Sequence, residues 1–247
     1  HGTRTSIELG ESVGIKPTIE KICEEVTSYI QQGFSRIKIK IKPGFDTEVI
    51  DIVRKQFPSI NLAADANAAY LPEHIPLLAS LEKYNLMFIE QPFATDDLSS
   101  HSTLAKKMLT PICLDESVYD LPSCINAINT EACDMINIKP ARVGGYLSAR
   151  RIHNYCYERG IPLFGGGRLE SGIGRIFNAH LFSLPGFTLP SDMSATSQYF
   201  TDDLIDPPFE PKKGTFSIPQ GEGLGITILE ERIKRHCVEH LSFENKI

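Results

Sequence analysis

Five charged residues stand at near-equal intervals along this chain: Lys40 in RIKIKIKPG, Asp65 in ADANAAY, Glu90 in FIEQP, Asp115 in CLDES and Lys139 in MINIKP, separated by 25, 25, 25 and 24 residues. Each sits at or near the end of a short apolar run, with a turn signal within a few residues. One strand, one helix and two short loops occupy about 25 residues. The interval therefore describes a series of βα units, each presenting a charged side chain at the end of its strand.

Apolar runs predict strands over 12–15, 36–41, 61–66, 87–91, 112–116, 135–139, 162–165 and 187–190. Helical periodicity places a helix after Thr18, with Ile19, Ile22, Val26 and Ile30 on one face and Gly33 at its end. Another is opened by Gly145 and closed by Gly160. Further helices are expected near 47–56, 72–84, 97–107, 121–129 and 171–183. Strands alternating with helices build a parallel sheet covered by helices. An open doubly wound sheet uses the same units, but eight without a break in composition point to the α/β class and a closed (β/α)8-type TIM barrel, in the modified (β/α)7β form. The length, 247 residues, suits one such domain. Residues 1–190 are expected to form the barrel. Residues 191–247, rich in Pro and Gly, are expected to form an arm with a hairpin at Lys213 and Gly214 and a charged terminal helix, packing against something other than the barrel core.

A net charge of −6 with 23% charged residues offers no basic stripe for a phosphate backbone, so nucleic acid is excluded as a partner. No apolar stretch approaches the roughly 18 residues that span a bilayer, and the N-terminus lacks the order of a signal peptide; a cytoplasmic location without membrane contact is expected. Cys23, Cys113, Cys124, Cys133, Cys156 and Cys237 form no CxxC pair and are expected to be reduced thiols. A homo-oligomer is compatible with the sequence, which leaves the oligomeric state open.

Side chains alternate along a strand, so Lys38 and Lys40 share a side, as do Ala63, Asp65 and Asn67, and Met135, Asn137 and Lys139. With the polar members facing the lumen, Lys40 on the second strand and Lys139 on the sixth approach from opposite sides of the barrel axis. Asp65, Glu90 and Asp115 occupy the arc between them. Single acids at strand ends are usually helix caps or surface partners, but five charges in register are not so explained. Three crowded carboxylates repel one another and are costly to bury. A divalent cation relieves that cost, and an all-oxygen set without His or Cys selects Mg²⁺, with Mn²⁺ as substitute, rather than Zn²⁺. Such an ion binds a small-molecule carboxylate substrate and stabilises the charge left when a proton leaves its α-carbon; a lysine beside it can act as base. A Schiff-base aldolase could also use Lys139, but would not need three acids in register.

These motifs, KIKIKPG, DANAAY, IEQP, LDES and NIKPARVGG, resemble the enolase superfamily in its muconate-lactonizing subgroup, with the o-succinylbenzoate synthases and N-acylamino acid racemases most alike. The resemblance implies that Asp65, Glu90 and Asp115 ligate Mg²⁺, that Lys40 is the general base, and that Lys139 is its counterpart on the opposite face. Lys38, the first lysine of KxK, would support Lys40 electrostatically, while Asn67 and Asn137 would support the site or serve structure alone. GGGRLESGIGR and FTLPSDMSA resemble the segments after the seventh and eighth strands and put Gly166, Gly167 and Ser191 forward as substrate contacts, although a turn that needs only glycine explains the former equally. The implied activities are dehydration to o-succinylbenzoate, a step of menaquinone synthesis, or racemisation of N-acylamino acids. The family also carries an N-terminal capping domain. That domain is expected to be absent from this chain, with residues 191–247 the arm that would pack against it.

Overall fold

The computed structural model describes residues 4–239 and 241. Strands β1 (Ser6–Val13), β2 (Arg36–Lys40), β3 (Asn61–Asp65), β4 (Ile89–Glu90), β5 (Ile112–Leu114), β6 (Met135–Ile138) and β7 (Leu163–Gly165) pair in parallel in chain order. Strand β8 (Ser191–Asp192) returns parallel to β1. This is the expected parallel barrel. Between the strands run α1 (Ile19–Gln31), α2 (Thr47–Gln56), α3 (Ile75–Ala79), α4 (Leu98–Ala105), α5 (Leu121–Asn129), α6 (Tyr146–Tyr157) and α7 (Gly172–Phe182).

Local chemistry sets the units. The Thr18 hydroxyl accepts from Lys21 N at 3.4 Å and starts α1. The helix buries Ile22, Cys23 and Val26, so its inward stripe lies beside the expected one, and Ile30 is exposed. Gly33, at φ +85°, ends the turn after α1, and a β-carbon there would meet the Lys213 backbone at 2.8 Å. The helix expected over 72–84 is broken into a 3₁₀ turn at Pro72–His74, the short α3, and a second 3₁₀ stretch at Ser80–Tyr84. Pro72 and Pro76 remove backbone donors there.

Two apolar regions result. The larger lies between strands and helices and includes Ile39, Leu62, Ile89, Leu114, Ile136 and Leu163. The smaller fills the lumen with Ala63, Phe88, Cys113, Met135 and Phe164. These residues alternate along the same strands, as the period of two requires. The lumenal set forms the floor on which the charged residues stand.

Three expectations at the ends are corrected. The first strand begins six residues earlier than expected, because its Glu8, Gly10 and Glu11 interrupt the apolar run. The eighth strand is divided: Phe187 makes one parallel bridge to Leu163, and pairing with β1 resumes only at Ser191. Pro190 between them has no N–H to donate. Strand pairing thus crosses the boundary expected at 190. The segment beyond it is joined to the barrel rather than turned away from it. Its strands β9 (Ile205–Asp206) and β11 (Thr227–Ile228) pair with each other, while β10 (Thr215–Ser217) pairs antiparallel with the first half of β1. Ile205, Phe209, Phe216 and Ile218 enter the larger core. The expected hairpin stands at Lys213 and Gly214, and α8 (Glu230–His236) carries the charged terminal pattern.

Candidate active site

Advancing two residues from each floor residue reaches a ring of polar side chains. Above Ala63, Phe88, Cys113 and Met135 stand Asp65, Glu90, Asp115 and Asn137, and Lys38 stands above Arg36. Pairing holds the ring in register, with Lys38 opposite Ala63, Lys40 opposite Asp65, and Asp65 opposite Glu90. Asp65, Glu90, Asp115, Asn137 and Lys38 are all buried. A further step of two reaches Lys40, Asn67 and Lys139 at the mouth.

Each carboxylate meets a cation of the chain. Lys38 Nζ lies 2.5 Å from Glu90 Oε2, 2.7 Å from Asp192 Oδ2 and 3.3 Å from Asp65 Oδ2. Lys40 Nζ lies 2.6 Å from Asp65 Oδ2 and donates also to Asn67 Oδ1. Across the barrel, Lys139 Nζ lies 2.7 Å from Asp115 Oδ2, whose other oxygen accepts from Arg142 Nη1. Asn137 Nδ2 donates to Glu90 Oε1 at 2.7 Å, and Asn67 Nδ2 donates to Glu116 Oε1 at 2.9 Å.

The electrostatics follow from burial and neighbours. Burial pushes the Glu90 carboxyl up to about 7, and the nearby Asp65 and Asp115 add to the effect against Lys38. Burial alone would raise Asp65 too, but Lys38 and Lys40 hold it below its ordinary value. Burial would discharge Lys38, yet Asp192, Glu90 and Asp65 keep its ammonium well above the usual lysine range.

Among the described residues no three His, Cys, Asp or Glu side chains are grouped so as to hold a metal ion. Asp65, Glu90 and Asp115 turn instead to lysines, an arginine and an asparagine. The donor set nevertheless fits a hard divalent cation: three carboxylates on consecutive strands, only oxygen, with the middle acid pushed toward protonation by burial and by the acids beside it.

The three residues put forward as substrate contacts separate. Gly167 lines a cavity of about 240 Å³ at the mouth, together with Lys38, Lys40, Asp65, Lys139 and Arg168. Gly166 packs against Lys139, since a β-carbon there would collide with Asn137 Oδ1 and lie 2.5 Å from Lys139 Cε. Ser191 is buried, and its hydroxyl accepts from Gly165 N at 3.1 Å, which ties β8 to β7. That bond helps to close the barrel, and Ser191 is not among the residues that line the mouth cavity.

Sequence reasoning missed Arg36, Arg142 and Gln91, and left open whether Asp192 touches substrate. Arg36, fully buried, donates to Pro190 O at 3.1 Å and pairs with Asp192, with its guanidinium 5.4 Å from the centre of the Phe164 ring. Arg36 precedes Lys38 by two, so strand parity was a signal for it. Asp192 stands in the FTLPSDMSA segment, but its pairing with Arg36 and Lys38 carried no signal. Arg142 donates to Asn137 O at 3.0 Å and Val118 O at 2.9 Å as well as to Asp115. Gln91, at φ +40°, accepts from Asp115 N at 3.0 Å and Ser117 N at 3.2 Å and fixes the turn after β4.

A parallel barrel with three acids on its third to fifth strands and lysines on its second and sixth defines a class. Residues 21–232 match the family described as Enolase C-terminal domain-like, and the chain belongs to it. Among individual proteins, it is 43% identical over 235 residues to the o-succinylbenzoate synthase of Geobacillus kaustophilus, covering 95% of this chain and 63% of that protein. It is 44% identical over 225 residues to the N-succinylamino acid racemase of Thermus thermophilus, covering 91% of this chain and 61% of the relative. The solved structure of an enolase superfamily member from Listeria innocua superposes with a TM-score of 0.91 at 40% identity, covering 95% of this chain and 63% of that one. The chain thus spans somewhat less than two thirds of the length of these relatives.

Proposed function

We propose that this chain carries the reacting centre of a lyase that removes a proton α to a carboxylate, converting 2-succinyl-6-hydroxy-2,4-cyclohexadiene-1-carboxylate to o-succinylbenzoate in menaquinone synthesis, in the cytoplasm. The carrying observation is the placement of Lys40 and Lys139 at the mouth on opposing strands, each against an acid of the arc between them. Asp65, Glu90 and Asp115 would hold Mg²⁺, or Mn²⁺ in its place. When bound, the ion would supply positive charge to the substrate carboxylate.

The chain's own residues do the rest. Lys40, held between Asp65 and Asn67, takes the α-proton as its C–H bond breaks and an N–H bond forms. The same ammonium then returns that proton to the departing hydroxide, giving water. Lys139 approaches from the other side and stabilises the negative charge there. Lys38 and Asn137 fix the two oxygens of the Glu90 carboxylate from either side.

A second reading, racemisation of N-succinylamino acids, is favoured by the identity of 44% to the Thermus racemase. There Lys40 and Lys139 exchange acid and base roles across the substrate. Lys40→Ala is expected to lower either activity by about 10²- to 10⁴-fold with little change in Mg²⁺ affinity; full activity would remove the base assignment. The assay uses this chain alone and with a separately supplied capping domain. Mg²⁺ binding without product in both would leave a metal-binding barrel and no enzyme.

A further inference from the structure

We propose that Arg168 selects the substrate by binding an anionic group at the end remote from the reacting carboxylate, which for succinyl compounds is the terminal carboxylate of the succinyl chain. The inference rests on the proposed proton abstraction only for the orientation of the substrate.

Five cations line the mouth cavity: Lys38, Lys40, Lys139, Arg168 and Arg175. Four are committed. Lys38 and Lys40 face Asp65, and Lys139 faces Asp115, within 3.3 Å or less. Arg175, buried, donates to Glu170 O at 3.0 Å and to Ser194 O. Arg168 is exposed and, among the described residues, has neither an ion pair nor a side-chain hydrogen bond. Glu170, the acid beside it, is engaged by Asn178 Nδ2 at 2.9 Å.

Position agrees with chemistry. Arg168, in the loop that follows β7, lines the same cavity as Lys40 and Lys139. Strand β7 faces β3 in a ring of eight, so Arg168 stands across the lumen from the arc of acids. A substrate whose reacting carboxylate rests on that arc and whose α-carbon lies between the lysines directs its far end to this loop.

The loop is anchored on both sides of Arg168. Gly167 packs so closely on Asp192 O that a β-carbon would collide with it, and Glu170 is held through its carbonyl and its carboxylate. A guanidinium on a fixed base presents a fork that matches a carboxylate. Leu169, next to it, is 72% exposed and offers apolar surface for the methylenes between the two charged ends.

The test compares an N-succinylamino acid with its N-pentanoyl counterpart, which has a similar length and no terminal charge, by calorimetry in the presence of Mg²⁺. The protein is this chain and the chain supplemented with a capping domain. Arg168→Gln is expected to weaken the succinyl ligand about 10- to 100-fold and leave the pentanoyl ligand unchanged, with Arg168→Lys recovering part of the loss. Equal weakening of both ligands, or of neither, overturns the proposal. Failure of both compounds to turn over while this binding contrast persists would count against the proposed reaction and still support the role of Arg168.

Discussion

Lys38 Nζ and Asp192 Oδ2 lie 2.7 Å apart, although their strands β2 and β8 are separated by β1. The pair reaches across the lumen over Gly10, whose missing side chain leaves room for Arg36 beneath it. The bond that positions the support for Glu90 is thus also one that closes the barrel. Asp192→Asn would leave the buried guanidinium of Arg36 without its carboxylate, at an expected cost of about 3–5 kcal/mol. Urea denaturation measures it, and a loss below about 1 kcal/mol would show that the closure does not depend on this charge.

Glu90 is the central acid of the arc and accepts from both Lys38 and Asn137. Glu90→Gln keeps the shape and removes the charge, so Mg²⁺ affinity is expected to fall by about tenfold or more, as ligand charge sets affinity for hard cations. Titration calorimetry reads the change. Unaltered affinity would take Glu90 out of the donor set.

Glu11 supplies a pH dependence. Burial pushes its carboxyl from 4.5 up to about 7, against the hydrogen bond from Ser194. The folded state therefore binds the proton more tightly than the unfolded chain. The resulting stability is present in full below about pH 4.5 and is lost progressively as pH rises to about 7. Glu11→Gln removes the titration, so the stability of this variant relative to the parent should rise by about 3 kcal/mol between pH 4.5 and pH 8. A difference that does not vary with pH would contradict the burial of an acid at this position.

Ser191→Ala separates closure from substrate binding. The substitution leaves the buried Gly165 N–H without its acceptor and is expected to cost about 1–3 kcal/mol, with the affinity for an N-succinylamino acid unchanged. A selective loss of ligand affinity would return Ser191 to the substrate.

The barrel was legible because its period is chemical as well as geometric: one charged residue per unit marked each strand end from Lys40 to Lys139. The ring was legible through alternation, which brought Lys38, Asp65 and Asn137 to the lumen together. What escaped lay where neither signal operates. The partners of Asp192 and Ser191 escaped because both residues follow Pro190, which interrupts the eighth strand. Thr215, Phe216 and Ser217 pair with β1 from the far end of the chain, a contact that no local pattern announces. A hydroxyl such as that of Ser191 looks the same in sequence whether it meets a ligand or a backbone amide.

The two lysines at the mouth give the site nearly equivalent proton carriers on either face of whatever lies between them. Which face of a bound molecule gives up its proton is then not written in any single residue of the barrel. In the proposed reaction it is decided by which face the bound molecule turns to which lysine, and thus by groups such as Arg168, proposed to hold its far end.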